Sequence, residues 1–360
     1  MSKEMRYSFI IPVFNRPDEV RELLQSLTSQ TMKDFEVIIV EDGSKTTCKD
    51  VCDEFAGILD LHYYYKENSG PGQSRNYGAE RANGEWLIVL DSDVVLPPDY
   101  LANVEEKTAA LPHSQLAAWG GPDAAHPDFT PVQKAISYSM TSFFTTGGIR
   151  GGSSKRSGQK RGALDKFFPR SYNMGVRREV WNELGGFSKM RFGEDIDFSY
   201  RIVEAGHKTA LIPEAWVWHK RRTDFRKFFR QVFNSGIARI NLTKRHPGTL
   251  KLVHLLPTVF TVGVIGLVLL SAVGRLLMYY CDNDQWRWLC LLPWLPIVLY
   301  SLIIFVHSTL QNKSAHVGLL SVPAAFTQLM GYGLGFIKAW WKRCVLGQDE
   351  FTAFEKNFYS

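Results

Sequence analysis

The sequence predicts an α/β fold with a mostly parallel sheet, followed by C-terminal transmembrane helices. Two observations support this prediction. In residues 7–90, apolar runs of strand length alternate with segments of helical periodicity, as in βαβ units. Beyond residue 250, three long stretches contain no Asp, Glu, Lys or Arg. A chain of 360 residues, 45% of them hydrophobic, has room for one large domain and a membrane appendage.

The strands and helices of the first part follow from the spacing of their apolar residues. The predicted strands are Tyr7–Val13, Phe35–Val40, Leu61–Lys66 and Trp86–Leu90, and the predicted helices are Pro17–Gln30, Asp50–Ile58 and Gly72–Ala82. Because Met1–Tyr7 leads straight into the first strand, we expect no cleavable signal peptide.

Three uncharged stretches predict the membrane region. Leu252–Gly274 and Leu289–Val306 contain 23 and 18 residues. A span needs about 20, so two transmembrane helices are expected. Val317–Ile337 is also uncharged over 21 residues, but it contains Pro323, Gln328 and four glycines. This third segment could cross, re-enter or lie at the interface. The alternative for the first two is a buried helical hairpin in a soluble protein.

Basic residues predict the orientation in the membrane. The net charge of the chain is +6, yet His219–Lys251 alone contains ten Lys or Arg and one Asp. A basic block before a span favours an anionic membrane surface over nucleic acid, and it is expected in the cytoplasm. Within it, Thr223–Asn241 has the spacing of a basic amphipathic helix. Lys338, Lys342 and Arg343 also favour the cytoplasm, which two crossings would satisfy and three would not.

These patterns divide the chain into four regions. They are an α/β domain at residues 1–220, a basic amphipathic interfacial helix or linker at 221–251, a membrane region at 252–345 and a tail at 346–360. Gly147–Gly162 is rich in Gly, Ser and basic residues, which predicts either a solvated surface loop or a basic lid that contacts phosphates. The five cysteines show no metal-binding spacing, so reduced thiols are expected.

Four polar clusters accompany the predicted strands. They are Ser8–Asn15, Val37–Ser44, Gly70–Asn76 together with Trp86–Asp93, and Phe192–Arg201. Asp91 and Asp93 directly follow a buried strand, and ligands of open α/β sheets bind at that edge. Two hard oxygen ligands suit Mg²⁺ or Mn²⁺ held together with substrate phosphates.

In this order and spacing, the clusters resemble the family 2 glycosyltransferases over about residues 6–220. The resemblance implies the GT-A nucleotide-diphospho-sugar transferase fold, with a Rossmann-like, mostly parallel sheet. With its basic helix and hydrophobic C-terminal part, the whole chain is similar to bacterial enzymes that build exopolysaccharide, capsule or O-antigen on a lipid carrier. This similarity implies a multi-pass protein of the cell inner membrane with a cytoplasmic catalytic domain.

The resemblance also implies roles for individual residues. Asp195 would be the catalytic base of an inverting transfer, and Glu194 could be the base instead or orient the acceptor. Nucleotide-sugar binding would fall to Pro12, Asn15, Asp42, Arg75 and Asp91, with Asp42 contacting the nucleobase. The metal ligands would be Asp93, Asp91 and His219. Asn173 lies in the part of the family that usually faces the acceptor. The basic side chains of Lys155, Arg156, Arg221 and Arg222 are further predicted contacts to the acceptor or to phosphates. Asp197 could be structural, through Arg201 one helical turn later.

The expected function is a metal-dependent, inverting hexosyltransferase that uses Mg²⁺ or Mn²⁺. Its expected partners are a nucleotide-diphosphate sugar, with uridine favoured, a lipid-linked glycan acceptor and the membrane, but no nucleic acid. Gln231 does not begin the Gln-x-x-Arg-Trp motif of processive synthases, which favours addition of a single sugar. The alternatives are a polyprenyl-phosphate sugar synthase and a non-catalytic membrane scaffold. A dinucleotide-dependent oxidoreductase is not favoured, because the first strand leads to Pro12–Asn15 and not to Gly-x-Gly-x-x-Gly.

Overall fold

The computed structural model describes residues 6–110, 116–124, 126, 128–147, 167–220, 223–281 and 284–353. These residues form two compact units. The first unit contains the described residues of 1–126 and 152–220. The second contains those of 127–151 and 221–354.

Strands and helices alternate along the first unit, and the second unit is helical. The described strands are β1 (Tyr7–Val13), β2 (Phe35–Asp42), β3 (Leu61–Lys66), β4 (Trp86–Leu90), β5 (Val94–Val95), β6 (Leu116–Gly120), β7 (Asp123–Ala124), β8 (Asn173–Arg177), β9 (Lys208–Leu211) and β10 (Val217–His219). The described helices are α1 (Pro17–Thr28), α2 (Lys49–Phe55), α3 (Pro71–Ala79), α4 (Tyr100–Ala109), α5 (Pro131–Thr141), α6 (Phe143–Thr146), α7 (Arg178–Leu184), α8 (Glu194–Glu204), α9 (Phe225–Arg245), α10 (Leu256–Cys281), α11 (Arg287–Leu291), α12 (Leu295–Asn312) and α13 (Ala315–Trp340). A π-helical turn, Trp341–Val345, continues α13.

Seven strands form the main sheet in the order β3-β2-β1-β4-β8-β6-β9. The first four are parallel, and β8 runs antiparallel between β4 and β6. A smaller sheet has the order β5-β10-β7. The predicted α/β fold with a mostly parallel sheet is therefore confirmed. The strand order changes direction between β1 and β4, and open α/β sheets bind ligands at such a switch point.

The central strands are apolar on both faces because both faces of the sheet are covered. Phe9 packs in one core cluster with Leu23 of α1, while Ile10 packs in the opposite cluster with Phe198 of α8. Helix α3 lies so close to the sheet that a Cβ on Gly78 would come within 2.7 Å of the Ile10 Cγ2 atom. Sheet and helices therefore hold the carboxyl ends of β1, β2 and β4 in fixed positions.

The predicted strands and helices of residues 7–90 are confirmed, with small differences at their ends. Strand β2 continues two residues beyond the prediction, to Asp42. Helix α1 begins at Pro17 as predicted, because proline suits the first helical turn. Helix α3 begins at Pro71 for the same reason, one residue before the predicted start. The preceding Gly70 has a φ of 91°, a conformation that favours glycine.

The second unit contains three stretches long and apolar enough to cross a membrane. They are Leu252–Cys281, Arg287–Asn312 and Ala315–Val345. Before them lies α9, which confirms the helix predicted at Thr223–Asn241 and buries its apolar face. Two of these stretches correspond to the predicted spans, and the third contains the segment for which the sequence left the alternatives open.

Residues 128–147 lie within the α/β domain that the sequence predicts, but in the structure they group with the C-terminal helices. The reason is the packing of α5. Its residues Ile136 and Met140 form a buried cluster with Phe228 and Val232 of α9. A boundary drawn from composition could not separate this segment, because α5 has the ordinary composition of an amphipathic helix.

Candidate functional site

Two carboxylates and an imidazole meet at the carboxyl end of β4. Asp91 and Asp93 follow β4 directly, and β5 begins at the next residue, Val94. Because His219 pairs with Val94 across the antiparallel β5–β10 ladder, its side chain reaches the two acids. The Nε2 atom of His219 lies 3.2 Å from Asp93 Oδ1 and 3.9 Å from Asp91 Oδ2. Tyr172 stacks on the imidazole ring, with 5.2 Å between the ring centroids.

These three side chains fit a divalent metal ion. Each can offer one ligand atom, and the three atoms lie within 4.8 Å of one another. Two carboxylates are hard oxygen ligands, and an imidazole nitrogen beside them suits a transition ion such as Mn²⁺ better than Mg²⁺. A fourth group, Asp123, lies 4.0 Å from the other imidazole nitrogen of His219. At this separation Asp123 adds negative charge beside the ring, whereas a hydrogen bond would need a shorter distance.

Arg16 contributes positive charge to the same edge of the sheet. It follows β1, the parallel neighbour of β4, and its guanidinium lies 2.6 Å from Asp93 Oδ2. Burial would lower the pKa of Arg16, but Asp93 raises it above its ordinary value. The guanidinium therefore stays charged at the switch point between β1 and β4, where a phosphate group could share it.

Arg75 joins the carboxyl end of β4 to α8. Its side chain is 4% exposed, and its two terminal nitrogens lie 2.6 Å from Asp91 Oδ1 and 3.0 Å from Glu194 Oε1. The guanidinium also lies over the Phe187 ring. Burial would lower the pKa of Arg75, but the charges of Asp91 and Glu194 raise it. The sequence predicted a contact to the nucleotide sugar, whereas in the structure the fork of Arg75 is bonded to two acids.

Glu194 and Asp195 begin α8 and differ in exposure. The side chain of Glu194 is 9% exposed, while that of Asp195 is 18% exposed. Burial raises the pKa of Glu194 to about 7, although Arg75 acts to lower it. Asp195 Oδ2 lies 3.7 Å from a guanidinium nitrogen of Arg170. Asp195 is therefore the more accessible of the two carboxylates, and Glu194 is the one that bonds to Arg75.

The carboxylate of Asp42 is buried and holds the turn before α3. It accepts hydrogen bonds from Lys66 Nζ at 2.5 Å and from the backbone amides of Ser69 and Gly70, both at 2.9 Å. Only 2% of the residue is exposed. A nucleobase N–H would have to share this carboxylate with three existing donors or displace Lys66.

Pro12 and Asn15 lie at the carboxyl end of β1, and both are half-buried. Asn15 has a φ of 53°, and its side-chain oxygen accepts hydrogen bonds from the amides of Lys45 and Thr46 at 2.8 and 3.0 Å. Asn15 therefore connects the loop after β1 to the loop after β2. The two loops border the same edge of the sheet as Asp42.

Asn173 is held inside the first unit by two side-chain hydrogen bonds. It is fully buried, its Oδ1 atom accepts a hydrogen bond from Tyr100 at 2.6 Å, and its Nδ2 atom donates to the Ala215 carbonyl at 2.7 Å. The acceptor contact of Asn173 stays a prediction, and in this structure both polar atoms of its side chain are bonded within the protein. The predicted contact between Asp197 and Arg201 is present, with 3.0 Å between Asp197 Oδ2 and Arg201 Nε one turn later on α8.

The remaining predicted contacts lie outside the described residues. These are Lys155, Arg156, Arg221 and Arg222, together with the basic Gly-rich segment at 148–162. Sequence reasoning missed four side chains that the structure brings to the site, namely Arg16, Lys66, Arg170 and Tyr172. The sequence did contain a signal for Arg16, because this residue follows Asn15 just after the end of the first predicted strand. The others lie on elements whose approach to the site depends on the tertiary fold.

Residues 8–185 match the family model described as glycosyl transferase family 2. Over 94 residues the chain is 39% identical to EpsH of Bacillus subtilis, a candidate glycosyltransferase. The matched region covers 26% of this chain and 27% of that protein. Over 240 residues it is 25% identical to the glycosyltransferase AglE of Haloferax volcanii, covering 65% of this chain and 73% of that protein. The match to EpsH thus spans about a quarter of that relative's length.

Among solved structures, the chain is similar to the mannosyltransferase PcManGT of Pyrobaculum calidifontis, in complex with GDP-Man and Mn²⁺. The TM-score is 0.60 at 16% sequence identity, and the match covers 95% of this chain and 89% of that one. At this identity the similarity shows the fold, which is the GT-A fold expected from the motifs.

Proposed function

Because residues 8–185 are a glycosyl transferase family 2 domain, we propose that the protein is an inverting, metal-dependent glycosyltransferase. It moves a hexose from a nucleotide-diphosphate sugar to a lipid-linked glycan in cell-surface polysaccharide synthesis. The observation that carries this proposal is the cluster of Asp91, Asp93 and His219 at the switch point of the sheet. A scaffold without catalytic activity would not need two carboxylates, an imidazole and a more accessible carboxylate, Asp195, in one unit.

The proposed reaction is a single displacement at the anomeric carbon of the donor sugar. A carboxylate oxygen of Asp195 takes the proton of the acceptor hydroxyl, and the acceptor oxygen forms a bond to the anomeric carbon from the opposite face. The bond between that carbon and the diphosphate oxygen breaks, and the nucleoside diphosphate leaves with the electron pair. The proposed base is the more exposed of the two carboxylates that begin α8, and its Oδ2 atom lies 3.7 Å from Arg170.

Asp91, Asp93 and His219 are the proposed metal ligands. The bound ion, with Mn²⁺ favoured over Mg²⁺, would stabilise the negative charge that develops on the departing diphosphate. Arg16 is the proposed cationic side chain on the same diphosphate, since it already lies 2.6 Å from Asp93. Arg75 acts as a positioning residue that fixes Asp91 relative to α8.

The proposed nucleotide side of the pocket is the loop edge formed by Pro12, Asn15 and Asp42. Asp42 would bind the base by accepting from a base N–H, with Lys66 moving aside or sharing the carboxylate. The family resemblance favours a uridine donor, whereas the structurally similar mannosyltransferase was solved with GDP-Man. A donor panel must therefore include both nucleotides.

The proposed acceptor is lipid-linked, because the second unit has three helices long and apolar enough to cross a membrane. A catalytic domain tethered beside the bilayer can meet an acceptor whose lipid stays in it. The proposed location is the cell inner membrane, with the catalytic domain in the cytoplasm, where nucleotide sugars are available. Lys155, Arg156, Arg221 and Arg222 are the proposed contacts to acceptor phosphates.

The test compares Asp195→Asn with Glu194→Gln in detergent-purified, full-length protein. Donor binding and hydrolysis are first measured against UDP-, GDP- and dTDP-sugars, with and without Mn²⁺. Asp195→Asn should retain donor binding and lose transfer by at least about a hundredfold, since general base catalysis typically contributes this much. Glu194→Gln should retain most of the transfer.

Full transfer by Asp195→Asn would refute the assigned base. If the product were then a lipid phosphate carrying the sugar, a polyprenyl-phosphate sugar synthase would explain the result, because a phosphate acceptor is already ionised. Absence of donor binding across the panel in folded protein would refute the glycosyltransferase proposal itself.

A further inference from the structure

Helices α9 and α13 lie side by side and run in the same direction. A Cβ on Gly331 would meet Val232 Cγ2 at 2.5 Å, and a Cβ on Gly335 would meet the Phe233 carbonyl oxygen at 2.0 Å. Further along both helices, Arg343 donates a hydrogen bond to Asn241 Oδ1 at 3.0 Å. Contacts later in α9 are made by residues later in α13 and the turn after it, so the two helices are parallel over several turns.

Helix α9 is too charged to cross a bilayer. It carries six basic residues, Arg226, Lys227, Arg230, Arg239, Lys244 and Arg245, and no acid. Each Lys or Arg near the centre of a membrane helix costs about 2.5–3.5 kcal/mol. Because α13 stays beside α9, a crossing by α13 would carry α9 and its charges into the hydrocarbon.

The first half of α13 is held by a second element that cannot cross. Ala135 of α5 packs against Val317 and Ala324 of α13. Helix α5 has 11 residues and is about 16 Å long, too short for a span. It also lies within residues 8–185, so the chain at both of its ends returns to the glycosyltransferase domain. Both halves of α13 are therefore fixed to elements that stay on one side.

Helices α10 and α12 differ from α13 in their packing. They form an antiparallel pair, in which Trp294 Nε1 donates to Ser271 Oγ at 2.8 Å and the rings of Phe260 and Tyr300 lie 5.7 Å apart. In their most apolar windows only 11% and 6% of residues are buried inside the protein, against 50% for the stretch that contains α13. Apolar surface that the protein leaves uncovered is what lipid contact requires.

We propose that the α10–α12 hairpin alone crosses the membrane, while α13 lies with α9 and α5 on the cytoplasmic membrane face. The third apolar stretch is then a packing helix, and the residues after it return to the side of the catalytic domain. This arrangement places Lys338, Lys342 and Arg343 in the cytoplasm, as the distribution of basic residues requires. It rests on the proposed cytoplasmic catalytic domain and not on the proposed reaction.

Two native cysteines report on this topology. Cys281 ends α10, Cys344 lies in the π-helical turn after α13, and both are exposed. In one set of full-length variants, Cys290 and either Cys281 or Cys344 are replaced by serine, which leaves one exposed cysteine. In a reference variant all three are serine, and Glu80→Cys on the exposed end of α3 marks the catalytic domain. Each variant is treated with a membrane-impermeant maleimide in sealed right-side-out vesicles and in sealed inside-out vesicles.

The expected result is that Cys344 and the Glu80→Cys reference are labelled in vesicles of one orientation and Cys281 in the other. Labelling of Cys344 in the same orientation as Cys281 would overturn the proposal, because α13 would then cross. Labelling of all three in one orientation would also overturn it, because the hairpin would not cross. Donor turnover is measured on the same preparations. If turnover is lost while the labelling is as expected, the proposed function is refuted and the proposed topology stands.

Discussion

Replacing Arg75 with methionine tests the buried ion pairs at the centre of the site. Methionine keeps much of the length and apolar volume of the side chain but removes the charge that lies between Asp91 and Glu194. Removing one partner of a buried ion pair typically costs about 3–5 kcal/mol, because the other charge remains buried without compensation. Asp91, with 32% of its side chain exposed, is partly solvated. Most of the cost therefore falls on Glu194, whose side chain is 9% exposed.

The loss should depend on pH. Burial raises the pKa of Glu194 to about 7 even with Arg75 present, so without Arg75 that pKa rises further. Below pH 7 the carboxyl is largely protonated in both proteins, and the destabilisation is small. Above pH 7 only the wild type gains from an ionised Glu194 beside Arg75. Because Glu194 can keep its proton in the variant, the cost stays below that of a fixed buried charge. We therefore expect the destabilisation of Arg75→Met to grow by about 1 kcal/mol from pH 6 to pH 8, since one proton contributes at most about 1.4 kcal/mol for each pH unit above a pKa of about 7.

The measurement is urea-dependent proteolysis of the first unit in full-length, detergent-solubilised protein at both pH values. Arg21→Met is the matched control, because Arg21 also makes a two-bond contact with a glutamate, Glu54, but at an exposed position where solvent screens the pair. Adding Glu194→Gln to Arg75→Met should restore part of the lost stability at pH 8. A destabilisation by Arg75→Met that is no larger at pH 8 than at pH 6, or no effect of the second substitution, would refute this reasoning.

Three further predictions follow from the same contacts. His219→Ala should weaken Mn²⁺ binding by at least about tenfold in calorimetry, and an unchanged affinity would remove His219 from the metal site. Glu194→Gln removes a group that takes up a proton on folding between pH 4.5 and about 7, so wild-type stability relative to this variant should fall as pH rises through that window. Parallel pH–stability curves would contradict the raised pKa. Gly175→Ala would place a Cβ 2.1 Å from the buried ring of Trp119 and should cost about 1–3 kcal/mol in urea unfolding. Gly57→Ala, with no atom within 4 Å, should cost much less, and the reverse order would contradict the packing.

The parallel half of the sheet could be predicted because its strands are covered on both faces. Continuous apolar runs such as Trp86–Leu90 are typical of such strands, and the first three strands were each followed by a recognisable helix. Strand β8, Asn173–Arg177, could not be predicted in the same way. It is fully buried but contains Asn, Gly and Arg, whose polar groups are satisfied by partners that only the fold supplies. The position of Gly175 depends on the ring of Trp119, which is distant in sequence.

The candidate site could be predicted at the level of sheet edges but not of partners. A strand end tells where Asp42 and Asp91 lie, since carboxyl ends of parallel strands share one edge. The position of a strand end does not tell which donors form hydrogen bonds to a carboxylate there. Asp42 is bonded to Lys66 and two backbone amides, and Arg75 is bonded to two acids. These contacts join positions up to 119 residues apart, so no local pattern contains them.

The third apolar stretch illustrates why composition alone cannot assign a membrane crossing. A helix that crosses a bilayer and a helix buried between other helices both need about 20 uncharged residues, because lipid and protein interior are equally apolar. The glycines at 331, 333 and 335 show that α13 packs closely, since each allows a close approach to a neighbouring helix, although membrane-spanning helices also pack through small residues. Lipid needs no such gaps, whereas a packed neighbour does. Gly331 and Gly335 face α9, and Gly333 faces α10 near Pro257 and Thr261, so α13 is enclosed on two sides by protein. Of these two neighbours α9 carries six basic residues, and the proposed topology therefore places α13 beside α9 on the cytoplasmic membrane face.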